Sequence, residues 1–375
     1  MPLDSAQRRL LHVFPSFSLG GSQARFVKLA NHFGDRYHHH IVAMDGCYDA
    51  GHQLQPHLRW EPLQLLHTKG ATLANQAAYR RVLSTLKPDL LLTYNWGSIE
   101  WAAANLPRRA AQAHIEDGFG PEEATRQLQR RVWARWALLG LAKVPVFAAS
   151  RHLARIAVGQ WHLPPARVGF IPNGVALPPA PTADLPLRHP GKPLTIGTLA
   201  MLRPEKNIAR LLRAFAALRS TQAARLVVVG DGPDRAALEA LAKALNLGAD
   251  VQFAGFQSNP QPYLAEFDVF ALSSDTEQLP IALLEAMASG LPVVATRVGD
   301  VPLVVPAEAQ ACLAAPEDAD FTRCLLQVVQ SPGQWSAWTL AGRAQVERHY
   351  SVDVMQQRWR ALFDGDMAFA LQGGC

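Results

Sequence analysis

Cysteine is scarce in this chain: four residues in 375, at positions 47, 312, 324 and 375. That spacing excludes a disulfide framework and a thiolate zinc site, and it reads as reduced thiols of the kind expected in the cytoplasm. Long apolar runs are missing too. None reaches the ~18 residues that a bilayer-spanning helix requires. The opening MPLDSAQRRLLHVFPSF has two arginines but too short an apolar stretch for a secretory signal. Charged residues make up only 18% against 49% hydrophobic, a balance that excludes a disordered chain. Zinc-finger spacing and an aromatic RNA-binding signature are both absent, so nucleic acid is not an expected partner.

What is present is enough apolar material for two cores, more than one domain of ordinary size would hold. Charge is divided unevenly: residues 1–185 carry a net +8 and the remainder −3. The first half is therefore suited to an anionic surface or substrate. Strands alternate with helices throughout, the mark of parallel sheets covered on both faces. LLHVF is a first buried strand, SLGGSQ a loop, and Phe26, Leu29, Ala30 and Phe33 then recur at helical spacing before Gly34. HIVAM, DLLLTY, AQAHI, VFAAS and VGFIP are further strands. Residues 176–193 hold six prolines without periodicity and read as a semi-rigid linker containing the domain boundary. After it the pattern restarts: LTIGTLA is a strand, MLRPEKN a loop, Ile208, Leu211, Leu212 and Phe215 share a helix face, and RLVVVG, VQFAG, DVFALSS and PVVATR are further strands. The reading is α/β, two doubly wound domains facing a central cleft. Ligands in such sheets bind beyond the carboxyl ends of the strands, where SLGGS and LRPEKN both fall.

Two glutamates set the chemistry of DTEQLPIALLEAMASGLPVVATRVGD. Pro280 suits the first turn of a helix, Ile281, Leu284, Met287 and Ala288 form its apolar stripe, and Gly290 with Pro292 ends it. Glu277 then precedes the helix and Glu285 lies about one and a half turns inside it, at roughly 1.5 Å per residue. Arg203 and Lys206 enter another helix, capped by Asn207, where free N–H groups add positive character. A guanidinium and an ammonium there suit a diphosphate. One carboxylate suits the hydroxyls of a ribose and the other those of a sugar, which together describe a nucleotide-sugar site. Gly20 and Gly21 either let backbone approach a ligand closely or form a plain turn.

With these motifs in view, the chain resembles the retaining GT-B glycosyltransferases of family 4. The marks are SLGGSQ, IPNGV, LRPEKN, GDGPD, GFQSNP and the E-x7-E pair followed by AMASGLPVVAT. The resemblance implies an acceptor-side domain over 1–185, a nucleotide-sugar domain over 186–350, and a helix in 351–375 returning to the first. It implies that Arg203 and Lys206 bind the donor diphosphate and Glu285 the ribose. Glu277, with the following backbone of Gln278, Leu279 and Pro280, would contact the donor sugar. His114 in AHIEDGFG is similar to the family's histidine facing the reacting carbon, and Glu116 and Asp117 are acceptor-side candidates. Gln278-Leu279 departs from the commoner Gly-Phe, and GDVPLVV lacks an acidic residue after its proline. Both departures are read as marks of subfamily and donor choice. The activity implied is transfer from a nucleotide-diphosphate sugar to a glycan or lipid-linked acceptor, without metal or other cofactor. A nucleotide-sugar epimerase or a catalytically silent binding subunit are the alternatives.

Several spellings are read as decoys. Asp318-Ala-Asp320 and Asp364-Gly-Asp366 lie away from a strand end that would aim them at a diphosphate. In GDGPDR, Arg235 stands where a dinucleotide fingerprint needs its third glycine. His38-His39-His40 enters a strand whose side chains alternate in direction, so no metal site is expected there. Residues 122–139 are expected to form one helix, with Leu128, Val132, Trp136 and Leu139 on one arc and Arg126, Arg130 and Arg131 mostly opposite. Either that arc packs on the first domain with the arginines solvated, or Trp133 and the arginines touch an anionic leaflet at the inner face of a membrane.

Overall fold

Segments that are buried at every position, such as Leu90–Tyr94 and Val269–Leu272, are strands covered on both faces. In the first sheet they assemble as β1 (Arg8–Phe14), β2 (Tyr37–Ala43), β3 (Trp60–Pro62), β4 (Leu90–Tyr94), β5 (Ala111–Glu116), β6 (Val146–Ala148) and β7 (Val168–Phe170). Their order is β3-β2-β1-β4-β5-β6-β7, parallel throughout. The second sheet holds β8 (Leu194–Leu199), β9 (Ala224–Val229), β10 (Val251–Gly255), β11 (Val269–Leu272), β12 (Val293–Thr296) and β13 (Leu313–Ala314). It is parallel too, in the order β10-β9-β8-β11-β12-β13. Each sheet therefore reverses its order once, between β1 and β4 in one and between β8 and β11 in the other. Beyond the carboxyl ends of those strand pairs the adjoining helices diverge and open a crevice.

The computed structural model describes residues 7–65, 67–68, 70–119, 123, 127–179 and 193–372. It divides into two units, Met1–Pro172 with Met355–Cys375, and Asn173–Val354. Most of the proline-rich stretch 176–193, including the 185/186 boundary, lies outside the described residues. The helix Val352–Asp364 contributes buried Trp359, Leu362 and Phe363, and Phe363 meets Tyr37, His39 and Phe33 of the first unit edge to face. Among the described residues no helix is long and apolar enough to cross a membrane.

The first core encloses a polar thread. His12 on β1 lies between Tyr94 and His39, with Nδ1 3.0 Å from the tyrosine hydroxyl and Nε2 3.0 Å from His39 Nδ1. Both histidines are fully buried among Phe14, Phe26 and Phe363. Burial, reinforced by the neighbouring histidines, holds His12 well below its ordinary value and pushes His39 down to about 3. These groups are neutral in the folded chain and take up protons on unfolding at any pH below about 6.5. Their contribution to stability is complete above that pH and is lost as pH falls towards 3, by about 1.4 kcal/mol per pH unit for each histidine. Denaturant titrations at pH 7.5, 6.5, 5.8 and 5.0 are expected to show this decline before most carboxylates titrate. The slope is expected to flatten in His39→Phe.

Candidate functional site

Four loops of the second unit meet at the carboxyl edge of its sheet. The loop after β8 is stitched to the one after β9: Leu202 N donates to the Asp231 carbonyl and Asp234 N to the Leu202 carbonyl. Gly230 sits at φ +132, where a Cβ would run into the Ala200 carbonyl, and a Cβ at Gly232 would strike that of Leu202. GDGPD is thus the brace of LRPEKN, and the missing third glycine follows from this role. The loop after β8 is also tied to the one after β11. Asp275 N donates to the Glu205 carbonyl at 2.8 Å, and Ser273 Oγ to that of Lys206 at 3.1 Å. Gly299, at φ +53 in the loop after β12, packs where any side chain would collide with the Glu277 carbonyl. Asp300 N then donates to the Gln278 carbonyl at 2.9 Å.

This frame places the charged side chains. Lys206 and Glu277 face each other across the crevice between β8 and β11, Nζ to Oε1 at 2.7 Å. Ser274 Oγ donates to the same oxygen at 2.7 Å. Asn207 adopts a left-handed conformation at φ 42, and its side chain accepts from Arg210 N, capping the helix Ile208–Arg219. Arg210 is buried and ties Asp275, Asp318 and the Ser273 carbonyl together. Arg203 is 53% exposed and only loosely paired, 4.0 Å from Glu205, a contact that contributes little in water. Pro280 precedes the helix Ile281–Ala288, whose start has no side-chain cap, and Glu285 is half-buried on that helix. Of the sequence-predicted donor residues, Arg203, Lys206, Glu277, Gln278, Leu279 and Pro280 thus belong to one group of loops, and Glu285 lies on the helix that follows them. Ser274, Arg210, Asp275 and Gly299 were not anticipated. Only the DVFALSS strand end hinted at Ser274.

The first unit treats its predicted residues differently. His114 and Glu116 project from β5 into the interior and are fully buried. His114 Nδ1 is 2.9 Å from Thr93 Oγ1 and Nε2 3.5 Å from Glu116 Oε2, beside which lies the buried Arg135. Residues two apart on a strand share a face, so His114 and Glu116 both point inward. His114 is thus held by Thr93 and Glu116 near the carboxyl end of β5. Glu116 is a core ion-pair partner, and Asp117 is the group at the strand end. Its carboxylate receives a bidentate bond from Arg25 at 2.5 and 2.9 Å, while Asp117 N donates to Asn95 Oδ1. Arg25 in turn lies over the Trp359 ring. Gly20 and Gly21 stand exposed at the start of the helix Gly21–Phe33. Gly20 is fully extended, and the space around Gly21 is open.

The segment 122–139 is not one helix. Gln127 and Leu128 are non-helical, the helix runs over Gln129–Arg135, and Trp136–Leu141 continues it with π-type spacing. Glu123 explains the break. Its buried carboxylate accepts from Leu128 N at 3.2 Å and pairs with Arg131 and Arg135 at the helix start. Arg131 is thereby turned inward against Trp96, and Arg126 lies outside the described residues. Both Asp-x-Asp spellings are engaged: Asp318 by Arg210 and Arg213, Asp320 by Arg323, Asp364 by Arg36 and Tyr37, while Asp366 caps the Met367–Leu371 helix.

Two parallel sheets, each with its loops gathered at one switch point, invite comparison with known proteins. Residues 19–177 match the family described as Glycosyltransferase Family 4, and residues 182–344 the family described as Glycosyl transferases group 1. The two models fall one on each half of the chain, and the fold is the two-domain GT-B fold. A glycosyltransferase of Rickettsia africae shares the GT-B fold with a TM-score of 0.78 at 14% identity, covering 97% of this chain and 99% of that one. HepE of Anabaena, solved with UDP, gives 0.75 at 18% identity, covering 96% and 100%. By sequence the chain is 33% identical to putative glycosyltransferase EpsF of Bacillus subtilis over 53% of its own length and 54% of that relative. It is 26% identical to LpsD of Rhizobium meliloti, a lipopolysaccharide core biosynthesis glycosyltransferase, over 52% and 56%. The chain thus spans about half the length of these curated relatives.

Proposed function

We propose that this GT-B protein is a retaining glycosyltransferase that takes a sugar from a nucleoside-diphosphate donor and passes it to a glycan or lipid-linked acceptor in envelope polysaccharide or glycolipid synthesis. The observation that carries the reading is the Lys206–Glu277 pair at the switch point of the second sheet, with exposed Arg203 on the same loop. Lys206 and Arg203 bind the diphosphate and neutralise the charge that grows as it departs. Fixed charges aimed at such a developing charge usually contribute more to catalysis than any other effect. Lys206 and Ser274 both meet Glu277 Oε1, which orients Oε2 towards sugar hydroxyls. Glu285 holds the ribose. The departing diphosphate accepts the acceptor's proton, and retention follows from displacement on the face it leaves. Side-chain cations supply the charge compensation, so neither a divalent ion nor another cofactor is needed. HepE was solved with UDP-glucose as well as UDP, which supports a nucleotide sugar as donor.

A panel of nucleotide sugars, followed by NMR of the released or transferred sugar, tests this. Turnover of one donor with the α or β configuration kept, undiminished by chelator, is expected. Release of an epimer would establish an epimerase instead, and no turnover of any donor with or without acceptor would indicate a silent subunit.

The acceptor side is inferred to lie on an anionic membrane. Trp133 and Leu141 are 64% and 65% exposed, and Trp133 meets the half-exposed Trp136 edge to face. Arg130 and Lys143 are exposed on the same segment, and an Arg108 N–H bond to the Lys143 carbonyl brings the exposed Leu106–Arg109 turn alongside. Indole rings ringed by cations suit the interface of an acidic leaflet. Co-sedimentation with anionic but not neutral liposomes is expected at low salt, lost in Trp133→Ser/Trp136→Ser and weakened in Arg130→Glu/Lys143→Glu. Equal sedimentation of wild type and both variants would remove this surface from the reading.

A further inference from the structure

The alternation that scatters three consecutive histidines also pairs two of them. His38 and His40 share one face of β2 while His39 turns to the other, into the aromatic core. On the neighbouring edge strand, β3, Glu61 lies in register with His40. Its carboxylate spans both rings: Oε1 is 3.1 Å from His38 Nε2 and Oε2 3.6 Å from His40 Nδ1. One ligand atom from each of the three residues fits within 4.8 Å of the others. A tetrahedral zinc ion bound at about 2.0–2.1 Å holds its ligand atoms roughly 3.3 Å apart, so small side-chain rotations close the set.

A second observation points the same way. His40 is only 4% exposed, yet among the described residues neither of its ring nitrogens has a hydrogen-bond partner. A buried imidazole without a partner is costly unless something else satisfies it. A hydrogen-bonded ion pair between His38 and Glu61 alone would leave that cost in place, whereas a cation at the cluster removes it. Glu61 is 57% exposed, so the cluster opens to solvent on one side, giving an entry path and room for water. Burial first, then His38 and Arg9, hold the His40 imidazole below its ordinary range, and the Glu61 carboxylate opposes them.

We propose that His38, His40 and Glu61 form a binding site for a divalent transition-metal ion, with zinc as the natural fit to two imidazoles, one carboxylate and water. The site is a staple and takes no part in transfer. His38 and His40 belong to the first half of β2, whereas the loops of the switch point follow its far end. The ion joins β2 to β3, a three-residue strand that among the described residues lies at the edge of the sheet beside β2. Because the ligands come from two strands, metal binding adds directly to the stability of the folded unit. Affinity falls as pH drops and the imidazoles take up protons.

The test uses the full chain stripped of metal and titrated with Co²⁺ as a spectroscopic probe, then with Zn²⁺ in a thermal melt. Wild type is expected to bind Co²⁺ saturably at one site with visible d–d bands, and to melt at a higher temperature with Zn²⁺. His38→Gln and Glu61→Gln change partly exposed side chains and spare the buried His40. Each is expected to weaken Co²⁺ binding at least tenfold and to abolish the zinc-dependent rise in melting temperature. Unchanged cobalt affinity and an unchanged zinc shift in the double variant would overturn the proposal. So would the absence of any saturable cobalt site in wild type.

Discussion

Lys206→Ala is expected to lower kcat by roughly 10²–10³-fold, the range seen when a group that stabilises developing charge is removed. The ammonium touches Glu277 at 2.7 Å before any substrate arrives, so its position is set in advance and needs no reorganisation during the reaction. Binding that strengthens only as the diphosphate leaves appears in kcat more than in KM. Removing Lys206 also leaves the mostly buried Glu277 carboxylate with Ser274 as its remaining donor, and a fold control is required. Arg203→Ala provides it: Arg203 is exposed and among the described residues its side chain pairs only with Glu205, so its loss leaves stability within a few tenths of a kcal/mol and still lowers kcat. Circular dichroism and a melting curve alongside steady-state kinetics check both. Near-normal kcat in two folded variants would remove the diphosphate role.

The two glutamates are expected to respond in opposite ways. Glu277→Gln keeps the shape but removes the charge that orients Lys206, so kcat is expected to fall roughly 10²-fold with donor KM little changed. Glu285→Gln, on the helix flank, is expected to raise donor KM roughly tenfold, the loss of one charge-assisted hydrogen bond of about 1.5 kcal/mol, with kcat nearly intact. The reverse assignment, or identical effects in both parameters, would show that ribose and sugar have been placed on the wrong carboxylates.

Most of the frame was legible in the sequence because it rests on local rules. Eleven of the strands carry their own apolar run, and the Asn207 cap and the Pro280 helix entry are short-range chemistry. β3 and β13 were missed: one is three residues including a proline, the other only two, and neither holds enough sequence to show a period. The grouping of Arg203, Lys206 and Glu277 was legible because loops after neighbouring parallel strands must meet. The bonds that make them meet were not, since the Ser274, Asp275 and Gly299 contacts depend on tertiary approach. The first unit was harder. Only the direction of each side chain from β5 separates buried His114 and Glu116 from Asp117 at the strand end, and no neighbouring residue signals where a strand stops. The break in 122–139 had the same cause: a buried glutamate, not helix periodicity, decides where that helix begins. Glu61 went unnoticed for want of β3, so the histidine run looked like three diverging rings.

We propose that the loops after β8 and β11 bind a nucleoside diphosphate. Titration calorimetry of the intact chain with UDP and GDP, in wild type and in Arg203→Ala/Lys206→Ala, tests it most directly. One diphosphate is expected to bind wild type with unit stoichiometry and to bind the double variant at least tenfold more weakly. Equal affinity for the two proteins, or no binding of either nucleotide by wild type, would contradict the account.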